Sequence, residues 1–449
     1  MLEDAIMEKK KNIIIGFGKG GKTLAKFLAQ KGEEVVVIEK SNQMYGGTCI
    51  NIACLPSKRL IIEAANGVEF TDAVNGKNEM TAFLRNKNYH MLADEPTVTV
   101  LDGEAKFIGD HQVEVATTDG QTVQYEGERI FINTGAVPVI LPIPGLKDSP
   151  YLLDSTAAMD QKNLPKRLVI IGAGYIGLEF AAMFARYGSK VTVLDHKSAF
   201  IPREDDDISS AVKKDLEELG VKFELGVDIK QVINKEDHVE VEYEKDGEVF
   251  TAEGDRVLAA TGRRANTENL GLENTDIKTD ERGNIVVNDH LETNVKNVWA
   301  IGDVKGGLQF TYISLDDYRI IRSQLFGDGS YNLASRKTVP YSVFIEPPLS
   351  EVGLTEEQAK KENINYKLFK LPVAAIPKAR VAKNTHGLFK ALVDPETEQI
   401  LGATLYGLES HELINMIALA MKAKLPYTML RDQIYTHPTM SEAFNDLFK

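Results

Sequence analysis

Asn12-Ile13-Ile14-Ile15-Gly16-Phe17-Gly18-Lys19-Gly20-Gly21 is an apolar, β-branched run that ends in a cluster of glycines, and its reading decides the fold. A continuous run of this kind reads as a strand buried on both faces of a parallel sheet. Lys22 to Ala29 then carry apolar residues at helical spacing, and Val35-Val36-Val37-Ile38 is a second buried strand closed by Glu39. Gly16, Gly18 and Gly21 fit G-x-G-x-x-G. In that pattern backbone N–H groups approach a pyrophosphate at a helix N-terminus, and the distal acid accepts from a ribose hydroxyl.

One glycine pattern is weak evidence, but the unit recurs. Leu168-Val169-Ile170-Ile171 leads into Gly172-Ala173-Gly174-Tyr175-Ile176-Gly177, a helix through Ala185, and Val191-Thr192-Val193-Leu194 closed by Asp195. Two such units about 156 residues apart imply two dinucleotide sites on one chain; the other reading is that the glycines only let helix pack on strand. Asp195 favours the free ribose hydroxyls of NADH and repels the extra phosphate of NADPH. His196 and Lys197 beside it leave NADPH possible.

The chain has 449 residues, a prior of about three domains. Its net charge of −14 argues against nucleic acid or an anionic membrane as partner, because either needs a basic face. With 43% hydrophobic and 26% charged residues it has the balance of a globular protein, and no stretch reaches the 18 or so apolar residues of a spanning helix. Met1 to Lys11 are charged and the apolar run after them is too short for a signal-peptide core, so the expected compartment is the cytoplasm. Two cysteines are too few for a disulfide framework or a four-thiolate zinc site. In a reducing compartment a working pair is catalytic before it is structural.

Both cysteines lie in Gly46-Gly47-Thr48-Cys49-Ile50-Asn51-Ile52-Ala53-Cys54-Leu55-Pro56-Ser57-Lys58. Residues five apart in a regular helix are separated by about 7.5 Å along the axis and about 140° around it, whereas a disulfide needs Cα atoms within about 6.8 Å. A bridge here therefore requires a distorted first turn. Such a bridge is easily reduced, and a helix N-terminus would lower a thiolate pKa. Two buried free thiols are the alternative.

Through this segment the chain resembles the flavoprotein disulfide reductases, or class I pyridine nucleotide-disulfide oxidoreductases, which include dihydrolipoamide dehydrogenase, glutathione reductase and mercuric reductase. Gly46 to Lys58 is similar to the family's G-G-T-C-x-N-x-G-C-x-P-S-K, departing at Ala53. Thr134-Gly135-Ala136-Val137-Pro138 resembles the return from the FAD domain. Thr261-Gly262-Arg263-Arg264-Ala265-Asn266 resembles T-G-R-x-P-N with Ala265 for proline, and Trp299-Ala300-Ile301-Gly302-Asp303 the second FAD motif. Thr436-His437-Pro438-Thr439-Met440-Ser441-Glu442 is similar to H-P-T-x-x-E. There the proline keeps His437 out of helical geometry and can open a helix carrying Glu442.

The resemblance implies an α/β fold with two Rossmann-like domains and a C-terminal α/β dimerisation domain. Residues 1–150 and 267–337 would bind FAD, 151–266 NAD(P), and 338–449 would form the dimer. FAD would be held by Gly16, Gly18, Gly21, Glu39, Gly47, Thr48, Lys58, Thr134, Gly135 and Asp303. The nicotinamide nucleotide would be held by Gly172, Gly174, Tyr175, Gly177, Asp195 and Gly262. Hydride would pass from NADH to FAD and two electrons on to a Cys49–Cys54 disulfide, with Cys54 facing the flavin and Cys49 meeting the acceptor. His437, oriented by Glu442 and donated across a homodimer, would move the proton. Lys58 would pair with Glu179 near the flavin, and Tyr175 would cover the flavin and swing aside for nicotinamide, or simply pack.

For the acceptor, a chain ending Asn445-Asp446-Leu447-Phe448-Lys449 offers no C-terminal thiols of the kind that hand mercury inward. Gly16 to Lys19, Met44 to Gly47, Phe83 to Asn88, Gly307 to Arg319 and Leu371 to Arg380 instead resemble a bacterial subgroup related to mercuric reductase. That subgroup is linked to reactive-chlorine resistance and NADH-dependent reduction of copper(II). The expectation is a metal-ion reductase whose substrate metal meets Cys49 and Cys54 only transiently, with no resident metal. The alternatives are a reductase of a small disulfide, a mercury(II) reductase, or a flavin-binding interaction protein.

Overall fold

The computed structural model describes residues 7–449, which divide into two compact units. The first takes residues up to Arg59, Val74–Val139 and Gly262–Arg336; the second takes Leu60–Ala73, Ile140–Thr261 and Lys337–Lys449. The folds are mixed α/β with two Rossmann-like sheets, as expected.

In the first unit, strand Met7–Ile15 runs parallel between Val35–Glu39 and Thr122–Ile132, and the sheet continues outward to Val98–Gly109 on one side and Val298–Ala300 on the other. Gln112–Thr117 joins Val98–Gly109 to Thr122–Ile132 as an antiparallel meander. Alternate residues serve opposite faces, as the two-residue strand period requires. Ile14, Val35, Val37 and Phe131 pack with Leu24, Leu28, Trp299 and Ile320, while Ile13, Ile15, Val36 and Ile38 pack with Phe107, Val113 and Val115. The first strand begins before the apolar run suggests. The charged residues Lys9 and Lys10 pair in register with Glu126 and Gly127, and Lys10 and Lys11 reach Glu34 and Glu33 at 3.2 and 3.1 Å. Ladder hydrogen bonds and ion pairs hold a segment that hydropathy does not mark.

The second unit contains a parallel sheet in the order Lys222–Leu225, Lys190–Asp195, Arg167–Ile171, Arg256–Ala259, Leu152–Leu153, and a three-stranded antiparallel ribbon spanning residues 228–254. It also holds an antiparallel sheet in the order Tyr341–Val343, Leu349–Gly353, Ile400–Tyr406, Leu388–Val393, Lys367–Pro372. Helix Ser410–Lys422 buries Leu413, Ile414 and Ile417 in this sheet's core beside Phe389, Leu405 and Phe444. Lys390, fully buried on the sheet, binds Asp205 at 2.7 Å, Asp207 at 2.9 Å and Glu356 at 3.0 Å. Among the described residues no helix is long and apolar enough to cross a membrane.

Candidate redox site and dinucleotide cradles

Helix Lys19–Gln30 starts at Gly18 without a side-chain cap, so its first N–H groups need other partners. Ser314 Oγ accepts from Gly20 N and Asn133 Oδ1 from Gly21 N, both at 3.0 Å. Gly16 has φ +102°, and a Cβ there would lie 2.3 Å from the Asn133 carbonyl oxygen. A Cβ on Gly47 would lie 2.6 Å from Gly18 Cα, so the segment carrying Gly47 and Thr48 rests directly on the glycine turn. Glu39 accepts from Phe17 N at 3.0 Å and Ser41 N at 3.2 Å, and burial pushes its carboxyl up.

Asp303 is also raised by burial. The turn under it is held by Asp317, whose Oδ2 accepts from Gly302 N at 2.7 Å. Thr134 donates to the Asn266 carbonyl at 2.8 Å, and Asn266 N donates to the Gly135 carbonyl at 2.9 Å. Gly262 accepts from Val139 N at 2.9 Å in the same unit. A glycine turn with no room for side chains, beside two acids that burial raises, fits FAD. Replacing Gly16 by Ala forces a strained φ and a backbone clash. The purified G16A protein is expected to retain flavin about tenfold more weakly or worse, read as the ratio of flavin to protein absorbance after desalting.

The second fingerprint repeats this design within the other unit. Gly172 has φ +107°, a Cβ on it would sit 2.3 Å from the Ala260 carbonyl oxygen, and one on Gly177 would sit 2.1 Å from the Gly172 oxygen. A Cβ on Gly174, in contrast, would meet nothing within 4 Å, and helix Tyr175–Arg186 starts there uncapped, leaving its N-terminus accessible to an anion. Asp195 accepts from Ala173 N at 2.6 Å and Lys197 N at 2.8 Å, as Glu39 does in its own loop. The residues fit a nicotinamide dinucleotide.

Between the cysteines the helix breaks. A single turn, Thr48–Asn51, ends at Ile52 with φ −139° and ψ +11°, and a new helix, Cys54–Ala65, begins at the second cysteine. This is the distortion that a bridge requires. Asn51 Nδ2 pins the first turn to the Tyr45 and Gly47 carbonyls at 3.0 and 2.9 Å, and Arg85 Nε donates to Asn51 Oδ1 at 2.9 Å.

Both sulfurs are free thiols in hydrogen-bonding contact. That bond, followed by burial, pushes the Cys49 thiol up. The helix N-terminus was expected to lower a thiolate pKa; for Cys49 the shift is upward. One turn of helix supplies little dipole, and a proton shared with Cys54 outweighs it. Cys54 Sγ lies 3.7 Å from Thr311 Oγ1.

Lys58 Nζ is 3.4 Å from Ser57 Oγ in the first unit, and in the second Glu179 Oε1 accepts from Phe344 N at 2.8 Å. His437 Nδ1 lies 3.0 and 2.9 Å from the two oxygens of Glu442. The proline after His437 follows a cis peptide, and Glu442 caps the short helix Ala443–Leu447 instead of lying within it. His437 remains 70% exposed.

Sequence reasoning missed Asn133, Asp317, Ser314 and Thr311. Asn133 closes an otherwise apolar strand and the other three lie on one quoted stretch, so the signal was an unexplained polar residue at a buried position. It also missed Lys22, which donates to the Gly46 carbonyl at 3.2 Å. Burial, then repulsion from Lys19, bring Lys22 down to about 8, with Cys49 opposing the shift.

Family models agree with this geometry. The pyridine nucleotide-disulphide oxidoreductase model matches residues 10–317 and that family's dimerisation-domain model matches 339–448. The probable pyridine nucleotide-disulfide oxidoreductase RclA of Escherichia coli (strain K12) is 51% identical over 442 residues, covering 98% of this chain and 99% of its own length. A mercuric reductase of Staphylococcus aureus is 32% identical, covering 96% of this chain and 80% of its own. The solved Cu(II) complex of HOCl-induced flavoprotein disulfide reductase RclA from Escherichia coli superposes with a TM-score of 0.95 at 50% identity, covering 98% and 99% of the two chains. The chain belongs to the pyridine nucleotide-disulfide oxidoreductases and is a flavoprotein oxidoreductase of that family.

Proposed function

We propose that this enzyme passes electrons from NADH to copper(II), in defence against reactive chlorine and oxygen species in the cytoplasm. The observation that carries the reading is the pair of thiols in contact across a helix break, on a chain half identical to a flavoprotein that has been solved with Cu(II). FAD, when bound in the first unit, supplies the conversion of a hydride into an electron pair that sulfur can take.

The chain's own residues do the rest. Two electrons and two protons open the Cys49–Cys54 disulfide to the dithiol. Cys54, placed by Thr311, is the sulfur turned to the cofactor, and Cys49, which keeps its proton through the Cys54 contact and burial, meets the acceptor. Two copper(II) ions then take one electron each, the disulfide re-forms and two protons leave. Thiolate sulfur suits the copper(I) product. His437, held by Glu442, receives a proton as Cys49 reacts.

On this reading the enzyme is a homodimer whose third domain is residues 338–449. Leu419, Met429 and Ile434 there are 66, 55 and 91% exposed, apolar side chains that a second copy would cover. Asp195 selects NADH.

Anaerobic NADH consumption with copper(II), mercury(II), oxidised glutathione and lipoamide side by side tests the acceptor. Copper(II) is expected to be reduced at least about tenfold faster than either disulfide. Equal rates would overturn the assignment.

A further inference from the structure

Within the second unit, the hydroxyl of Tyr175 meets a buried acid that itself faces a second one. Glu204, 4% exposed, accepts through Oε1 from the Tyr175 hydroxyl and from the Tyr341 hydroxyl, the latter at 3.0 Å. The two hydroxyls lie 3.4 Å apart and the two rings 5.9 Å apart. Tyr341 stands directly opposite Glu351 on the neighbouring antiparallel strand, and Glu351, 6% exposed, is in hydrogen-bonding contact with Glu204.

Glu204 Oε2 is buried and finds no donor as long as both carboxyls are ionised. Burial first, and then the charge of Glu204, push Glu351 up to about 10. Glu351 is therefore the protonated member at neutral pH and donates to Glu204. Two phenols donate to one Glu204 oxygen, and the Glu351 carboxyl stands beside the same carboxyl group.

The neighbouring charges do not dissolve this arrangement. Arg203 lies 6.0 Å from the Tyr341 ring centroid, over its face. Asp205 is taken up by Lys390 and by the backbone N–H groups of Glu356 and Glu357 at 3.1 and 2.9 Å, and Asp207 and Glu356 share the same lysine. Thr404 Oγ1, 3.5 Å from Glu351 Oε2, adds a neutral neighbour.

We propose that Glu204 is the positioning residue for the Tyr175 ring. Its carboxyl group, held by the Tyr341 hydroxyl and by the strand that carries Glu351 opposite Tyr341, latches the ring in the place it must leave when nicotinamide enters. The inference rests on the reading of Tyr175 as the ring that yields to nicotinamide. A latch lowers the fraction of enzyme competent to bind, so the apparent affinity for NADH falls by that fraction, and releasing it restores the affinity.

The test is anaerobic stopped-flow reduction of the enzyme's own flavin by NADH. Glu204→Ala and Tyr175→Phe are each expected to lower the apparent KM for NADH about tenfold, the scale of one hydrogen bond to a charged acceptor. Because both remove the same bond, the double variant is expected to go no further. In the wild type the KM is expected to fall as pH rises through about 10, where Glu351 loses its proton and two carboxylates face each other. Glu351→Gln, whose amide donates at every pH, is expected to show no such step.

An unchanged or raised KM in E204A, additive single variants, or a pH step that survives in E351Q each overturns the latch. If E204A does not fold, Y175F and E351Q carry the test alone. Tyr175→Ala checks the underlying reading: an unaltered flavin reduction there removes the gating role itself, whereas an altered one with silent E204A and Y175F removes only the latch.

Discussion

Cys54→Ser is expected to abolish the long-wavelength flavin–thiolate charge-transfer band that NADH titration produces in the wild type, and to reduce acceptor turnover on the order of 10³-fold or more. The residue opens helix Cys54–Ala65 and its sulfur stands 3.7 Å from Thr311 Oγ1. A serine oxygen fits the same space but forms no thiolate at accessible pH and no bridge to Cys49. The counterpart Cys49→Ser is also expected to stop turnover, yet it leaves in place the sulfur proposed to face the flavin, so its band is expected to persist. A band that survives in C54S and vanishes in C49S would reverse the assignment of the two sulfurs.

His437→Ala is expected to cost about 10² to 10⁴ in turnover, the range for a positioned acid–base group, while flavin reduction by NADH stays within about twofold. Glu442→Gln is expected to cost less, because the amide still holds the ring. A His437→Ala enzyme with full turnover, or one slowed equally in both half-reactions, would remove the histidine from proton transfer. If the side chain acts on a second copy, mixing H437A with C49S subunits restores activity in the heterodimer, because one of its two sites has both intact groups.

The glycine fingerprints were legible because they obey local rules. A buried parallel strand announces itself by β-branched apolar residues, and the turns at Gly16 and Gly172 need positive φ where any other residue clashes with the next strand. The cysteine segment was legible because a five-residue spacing conflicts with helix geometry, and the structure resolves that conflict by ending one helix at Ile52 and starting another at Cys54. What stayed hidden acts over distance. Asn133 and Ser314 reach the first helix from positions 112 and 294 residues away, so no window of sequence places them together. Lys390 reads as an unremarkable strand lysine until three carboxylates from 34 to 185 residues away converge on it. The direction of the Cys49 shift was likewise hidden, since a shared proton depends on which thiol faces which.

The acid at the end of each second strand carries one more consequence, for anyone wishing to change the enzyme's diet of coenzyme. Asp195 is fastened to Ala173 N and Lys197 N, so it braces the very loop it would help to address. Exchanging it for a neutral residue, as the proposed NADH preference would suggest for admitting a phosphorylated nucleotide, is expected to slacken the glycine turn as well. A switch of preference is better sought at His196, whose side chain is 80% exposed and takes no part in that brace beyond a 3.4 Å approach to Asp195.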